Sequence, residues 1–363
     1  MPEALSVVLL QAFDPSALSP ATAGGDRQRL PYRVETIAEA GITLELTDVM
    51  YRGVWQWRPV RRIVWTLEQL VAPFLQTLLM ARSIGTSDAT IAMFERQASA
   101  MAVLRRLRVP PFTRPRLVVI SCWLAQDLEH FGPLRRALYR FSYRSVDRVV
   151  FFSANQSEIF ERELALPPEK LCSVPFGVDD DFFTPSVSDR SDYVLAVGRD
   201  PGRDWSTFFA AVRDLDVPVK VACQPATIEH LDLPPNVEVV GFVDEARYRE
   251  LLAGARVVVV ATKALNYPTG QSVMLEAMAM GKCCIVTATA ALADYVVDGE
   301  TGLLVPPADT PSLRAAIERA CTDAALRRSI GSRARERVER EFNAGLMWRR
   351  IGTMVREICG GSR

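Results

Sequence analysis

Residues 257–287 read VVVVATKALNYPTGQSVMLEAMAMGKCCIVT, and this stretch decides the fold. Four consecutive valines with no polar alternation suit a strand buried on both faces of a parallel sheet. A loop at 266–271 carrying Pro268 and Gly270 follows. A helix then starts near Gln271–Ser272, and CCIVT reads as the next strand. Strand, loop, helix and strand in this order make one crossover of an α/β sheet. The first turn of such a helix presents unpaired backbone N–H groups to a ligand. Glu276 lies about one turn into it. There its carboxylate either caps and pairs locally or accepts hydrogen bonds from a ribose diol.

The same pattern extends in both directions. SVVLLQAF, ITLELTDV, ATIAMF, RLVVIS, RVVFFS and KLCSVPFGV read as strands in the first half. YVLAVG, VKVAC, VEVVG, RVVVVAT, CCIVT and GLLVP do so in the second. Helical stretches at 206–215, 245–253, 271–280 and 312–341 lie between strands, so the fold class is α/β, doubly wound. The segment SVPFGVDDDFFTPSVSDRSD turns polar and rich in Pro, Ser and Asp before Tyr193, as a linker does. It divides the chain into a domain over 1–183 and another over 190–345, leaving 346–363 at the end. Residues 323–342, rich in Arg and Glu, read as a solvated helix face.

At 363 residues the chain is long enough for two domains. Its 49% apolar and 24% charged composition is that of a globular protein, and excludes disorder, collagen and coiled coil. The 43 basic and 43 acidic residues cancel, so no global field draws nucleic acid. The 2 histidines leave little material for His-rich metal chemistry, and 7 scattered cysteines fit a reducing compartment. The apolar start lacks a basic n-region and 63–81 is interrupted by Glu68, Gln69, Pro73 and Gln76, so the expected location is cytoplasmic. Between Arg52 and Arg148 basic residues outnumber acidic ones. Arg58, Arg61 and Arg62 stand beside Trp55, Trp57 and Trp65, a pattern of an arginine-rich solvated surface or of peripheral contact with an acidic membrane.

There is no Walker A loop, no G-x-G-x-x-G after a strand, no G-x-S-x-G and no H-E-x-x-H. Two other pieces carry chemistry. In YVLAVGRDPGRDW a strand ends at Gly198 and is followed by Arg199 and Arg203, either ordinary surface cations or a bidentate grip on a diphosphate. In SVPFGVDDDFF, Gly177 follows a strand, again at a carboxyl end, where ligands bind in open α/β sheets. The Asp-x-Asp of Asp179–Asp181 reads as a helix start or turn rather than a cation site, because no further carboxylates cluster nearby.

VPFGVD, AVGR, VEVVGFVDEARYRELLAGARVVVVAT, TGQSVMLEAMAMGK and LADYVVDGETGLLVPPADTPSLRAAI, in this order, resemble a retaining glycosyltransferase of the GT-B fold, in glycosyltransferase group 1 or family 4. The resemblance covers roughly 145–345. It implies two Rossmann-like domains facing across a cleft, the first binding the acceptor and the second the nucleotide sugar, with the last helix crossing back to the first domain. It implies Arg199 and Arg203 on the diphosphate as catalytic residues, and Glu276 on the ribose. Gly177, Gly270, Gln271 and Ser272 would approach the donor, and Phe242 and Val243 would line the base pocket. No metal and no cofactor are implied, only a nucleotide diphosphate sugar as co-substrate, its base and sugar undecided.

The sequence departs from the family pattern in three places. The motif of two glutamates separated by seven residues has Pro268 at its first position. The lysine common in the diphosphate loop is absent, and Arg203 is the nearest cation. A histidine expected after a first-domain strand is replaced within LVVISCWLAQDLEHF by Cys122 and Trp123, with Gln126, Asp127 and His130 as alternatives. Gly24, Gly25, Trp123, Asp127 and His130 are the acceptor-side candidates. The expected activity is retaining transfer of a hexosyl-type sugar to a hydroxyl of a natural product or glycan. Alternatives are a membrane-surface enzyme with a lipid-linked acceptor and a catalytically impaired nucleotide-sugar-binding subunit.

Overall fold

The computed structural model describes residues 4–10, 31–46, 74–185, 192–198 and 200–360. The chain divides into two units, residues 1–174 with 348–363, and residues 175–347. The division falls at Val174–Pro175, and the first unit takes up the chain again at Trp348.

In the first unit the strands are β1 (Leu5–Leu10), β2 (Ile42–Leu46), β3 (Ala89–Met93), β4 (Arg116–Ser121), β5 (Arg148–Phe151) and β6 (Leu171–Ser173). They form one sheet in the order β2-β1-β3-β4-β5-β6, and every pairing is parallel. Helices α1 (Ala81–Thr86), α2 (Glu95–Arg106), α3 (Leu124–His130), α4 (Pro133–Tyr143) and α5 (Gln156–Leu164) lie between them. The apolar runs predicted as strands are buried along their whole length in β3 and nearly so in β4, as sheets covered on both faces require.

The second unit repeats the plan. Strands β7 (Tyr193–Val197), β8 (Val219–Ala222), β9 (Val237–Val239), β10 (Ala255–Val260), β11 (Cys284–Thr287) and β12 (Leu303–Val305) form a parallel sheet in the order β12-β11-β10-β7-β8-β9. Its helices are α6 (Trp205–Val212), α7 (Glu245–Gly254), α8 (Gln271–Ala279), α9 (Thr310–Thr322) and α10 (Ala324–Glu341). The chain lays β7, β8 and β9 outward in one direction, then returns to β10 and proceeds in the other. The order thus reverses between β7 and β10, and in open α/β sheets ligands bind at the carboxyl ends of the strands at such a reversal.

Two expectations are corrected. The stretch 312–341 is two helices, because Asp323 breaks it and caps the second by accepting from the Leu326 N–H at 2.8 Å. Nor is the face of α10 wholly solvated. Arg335 Nη1 reaches the carbonyls of Asp180, Phe183 and Ala279 at 2.9, 2.9 and 2.8 Å, tying the end of α8 to the 180–183 turn.

The last helix, α11 (Ala344–Gly360), packs on the first unit from Trp348 onward. Trp348 is fully buried, and its indole N–H donates to the Tyr32 carbonyl at 2.7 Å. Arg356 donates to Ala40 O at 2.7 Å, and Arg349 pairs with Glu39 at 2.9 Å.

Candidate functional site

The reversal between β7 and β10 gathers three chain segments of the second unit. The loop after β7 brings Asp200, Gly202 and Arg203. The loop after β10 brings Thr262, Lys263 and Thr269. Helix α8 starts immediately afterwards at Gln271.

Arg203 is buried and held on several sides. Its Nε donates to Val197 O at 2.9 Å and its Nη1 to Thr269 Oγ1 at 3.2 Å, while Asp200 Oδ2 lies 3.4 Å from Nη1. Asp200 Oδ1 accepts from Thr269 Oγ1 at 2.5 Å and from the Gly202 N–H at 2.8 Å. Burial lowers the pKa of Arg203, and Asp200 works against that shift. A guanidinium so desolvated keeps its charge because a carboxylate stands beside it. A Cβ on Gly202 would meet Thr269 Oγ1 at 2.6 Å and Asp200 Oδ1 at 2.7 Å, so only glycine lets this network close.

Gly270 is the N-cap of α8 in the left-handed region, φ 83°, ψ −2°, and no side chain caps the helix. A Cβ there would stand 2.5 Å from Val260 Cγ1 and 2.6 Å from Arg203 Nη1. The positive end of α8 is thereby brought against the Arg203 cation, two features that attract an anion to one place. Gln271 Oε1 and Thr262 Oγ1 are buried with no hydrogen-bond partner in the protein. Two orphaned polar atoms at one strand end and the adjoining helix start are costly, and they fit a site that a polar ligand completes.

Ser272 and Glu276 are four residues apart and share a face of α8. Glu276 Oε2 accepts a 2.6 Å hydrogen bond from the hydroxyl of Tyr248 on α7. Burial pushes the Tyr248 hydroxyl well above the usual tyrosine pKa, and the Glu276 carboxylate adds to the shift, so Tyr248 remains the donor. The Tyr248 ring packs edge-on against Phe183, centroids 6.0 Å apart.

The other expected donor residues are placed less closely. Gly177 sits where 176–178 crosses 342–344, with a bridge between Val178 and Asn343. Its missing side chain makes room for the Asn343 carbonyl. Phe242, 63% exposed, and Val243 follow β9 at the sheet edge, two strands from β7. Arg199, Gly24 and Gly25 lie outside the described residues. Asp179 Oδ1 accepts from the Phe182 N–H at 3.1 Å, so the Asp-x-Asp segment is a turn. Among the described residues no group of three or more His, Cys, Asp or Glu is placed to hold a metal ion.

In the first unit the order reverses between β1 and β3, and Glu95 governs the neighbouring strand ends. Its Oε1 accepts from Ser121 Oγ at 2.8 Å and from the N–H groups of Cys122, Trp123 and Leu124 at 2.6, 2.7 and 2.9 Å. A buried carboxylate thus caps α3 and fixes the segment where a histidine was expected. Phe94 before it has φ 72°, ψ 155°, a region nearly restricted to glycine, and its ring centroid lies 5.3 Å from that of Trp123. Trp123 is 44% exposed. Burial raises the Asp127 pKa. His130 stands at the end of α3 away from β4, its Nδ1 2.9 Å from Gln126 O. The structure therefore keeps Trp123 at a strand's carboxyl end and takes His130 away from it.

Asp200, Thr269, Tyr248, Thr262 and Glu95 did not emerge from the sequence. Asp200 was the most accessible of these, since an acid three residues before a buried arginine signals a local pair.

Residues 205–323 match the family model for glycosyl transferases group 1. Over 83 residues, 23% of this chain and 22% of that protein, the sequence is 35% identical to the capsular polysaccharide biosynthesis glycosyltransferase CapM of Staphylococcus aureus. Over 252 residues, 64% of this chain and 60% of that protein, it is 26% identical to the MMP alpha-(1->4)-mannosyltransferase of Mycolicibacterium hassiacum. The chain thus spans less than two thirds of either relative. The sucrose-phosphate synthase of Thermosynechococcus elongatus has a similar structure, TM-score 0.77 at 21% identity, covering 99% of this chain and 100% of that one. So does Anabaena Alr3699/HepE, solved in complex with UDP and glucose, TM-score 0.71 at 16% identity over 97% and 100%. Two parallel six-stranded sheets with this order give the chain the GT-B fold of these glycosyltransferase structures, and the second unit carries the glycosyl transferases group 1 match.

Proposed function

We propose that the protein transfers a hexosyl-type sugar, with retention and without a metal, from a nucleotide diphosphate sugar to an acceptor hydroxyl. The observation that carries this reading is the uncapped start of α8 at Gly270 beside the buried Arg203, at the reversal of the second sheet. Arg203, with Arg199, stabilises the diphosphate as its charge grows. Glu276, oriented by the Tyr248 hydroxyl, holds the ribose. Gln271 and Thr262 offer their unpartnered oxygens to donor hydroxyls.

In the transfer, the bond between the anomeric carbon and the diphosphate oxygen breaks. A bond from that carbon to the acceptor oxygen forms on the same face. The acceptor proton passes to the departing phosphate oxygen, so no side-chain nucleophile is needed. The protein supplies orientation and a preorganised positive site for the leaving group, the largest contribution such a site can make. The UDP complex of Alr3699/HepE supports a uridine nucleotide as the first donor to test.

The test incubates the protein with radiolabelled UDP- and GDP-sugars and a panel of hydroxyl acceptors, with and without EDTA, and reads the anomeric configuration of product by NMR. An α product from an α donor, formed equally in chelator, is expected. Inverted product, or activity restored only by manganese or magnesium, refutes the reading.

A further inference from the structure

Helix α4 buries one face in the first unit. Tyr143 is fully buried, and Tyr139 packs against the rings of Phe131 and Tyr143 at 5.2 and 5.6 Å. A surface helix ordinarily turns polar side chains outward on its other face. Here Leu134, Leu138 and Phe141, at i, i+4 and i+7, are 85%, 53% and 40% exposed. Ala137 between them is exposed too. Leu107, at the end of the neighbouring α2, is 60% exposed.

The charge on this helix itself has one sign. Residues 132–144 include four arginines and no acidic residue. The Arg106 guanidinium lies 4.9 Å over the Phe141 ring, and that of Arg135 3.7 Å over the Phe131 ring. Arg108 and Arg144 are exposed. Arg136 is paired with Glu163 at 3.2 Å, and Asp127 is the acidic neighbour of Arg135.

Large apolar side chains held in water beside guanidinium groups find both complements at once in an anionic bilayer. Acyl chains receive the leucines, and headgroup phosphates meet the arginines. We propose that this face docks the protein onto an anionic lipid surface, with Leu134, Leu138 and Phe141 entering the interfacial layer and Arg106, Arg108, Arg135 and Arg144 contacting phosphates. The proposal stands on α4 and its surroundings alone, and holds whichever reaction the second unit performs.

The experiment is co-sedimentation of the full chain with vesicles of phosphatidylcholine alone and of phosphatidylcholine with phosphatidylglycerol in equal parts, at low and high salt. Binding to the anionic vesicles, weakened by salt, is expected. Leu134→Ser with Leu138→Ser lowers the partition coefficient by about ten-fold or more. Arg135→Gln with Arg144→Gln abolishes the preference for phosphatidylglycerol. The leucine variant retains the wild-type melting temperature, since Leu134 and Leu138 are exposed, and the arginine variant stays folded, giving up only the stacking of Arg135 on the Phe131 ring. Absence of wild-type binding, or equal binding by the leucine variant, overturns the proposal. So does a wild-type dimer in sedimentation velocity that the leucine variant abolishes without any vesicle binding, which would make the face a contact between copies.

Discussion

Replacement of Arg203 by alanine tests whether the cation is a support of the fold as well as a ligand for the diphosphate. The side chain gives hydrogen bonds to Val197 O and Thr269 Oγ1, and an ion pair with Asp200. Its removal leaves the half-buried Asp200 carboxylate without its cation and the Val197 carbonyl without its donor. Breaking one side of a buried pair costs about 3–5 kcal/mol. With a urea dependence of about 2 kcal/mol per molar for a unit of this size, the midpoint of the second unit's unfolding falls by about 1.5–2.5 M. Arg203→Lys keeps the charge but loses the planar fork, and falls between the two. The assay is urea unfolding followed by circular dichroism, paired with calorimetric titration of UDP and GDP under native conditions. Donor affinity per folded molecule is expected to drop by at least about ten-fold, the loss of one charge-assisted contact. An alanine variant with a wild-type midpoint refutes the buried support, even if its turnover is gone.

Three further outcomes follow from the same geometry. Glu276→Gln keeps an oxygen for the Tyr248 hydroxyl but gives up the charge, so donor Kd by calorimetry rises about ten-fold while melting temperature stays put; Glu276→Ala leaves Tyr248 unpaired and lowers both. Tyr248→Phe removes the hydroxyl that orients the Glu276 carboxylate and weakens donor binding by about three- to ten-fold, read as KM for the donor, with kcat unchanged; a kcat loss at constant KM would exclude a positioning role. Gly270→Ala combines a left-handed backbone with contacts to Val260 and Arg203, costing about 2–5 kcal/mol in denaturant unfolding.

The fold was legible because its signal is simple. Each of the twelve apolar runs became a strand: the inner strands, such as β3 and β4, are buried on both faces and show no polar alternation, while the edge strand β2 alternates. Helix ends were harder to read. Asp323 and Asp309 are acids among many in an Arg- and Glu-rich stretch, and only the bonds each accepts, from Leu326 and Ser312, mark them as caps. The break between α9 and α10 is therefore local chemistry that periodicity cannot register.

The site was legible to a different depth. A helix start after Gly270, a cation after β7 and a glutamate one turn into α8 all lie within short stretches, and the sequence displays them side by side. What gives them their electrostatics arrives from elsewhere in the chain. Thr269 reaches Arg203 across 66 residues, and Tyr248 reaches Glu276 across 28. These partners decide the energetic character of the residues they touch. Arg203 without Asp200 and Thr269 is a surface cation; with them it is a buried charge whose removal costs stability before it costs affinity. Glu276 without Tyr248 is one more glutamate on a helix face; with it, one oxygen is committed and the carboxylate is oriented. Glu95 follows the same logic in the first unit, where four donors converge on one oxygen across 26 to 29 residues. Those bonds hold the Ser121–Leu124 segment and offset the strain of Phe94, about 1–3 kcal/mol for such a backbone. The segment where a histidine was expected is thus fixed from outside itself, by a carboxylate that no motif announces.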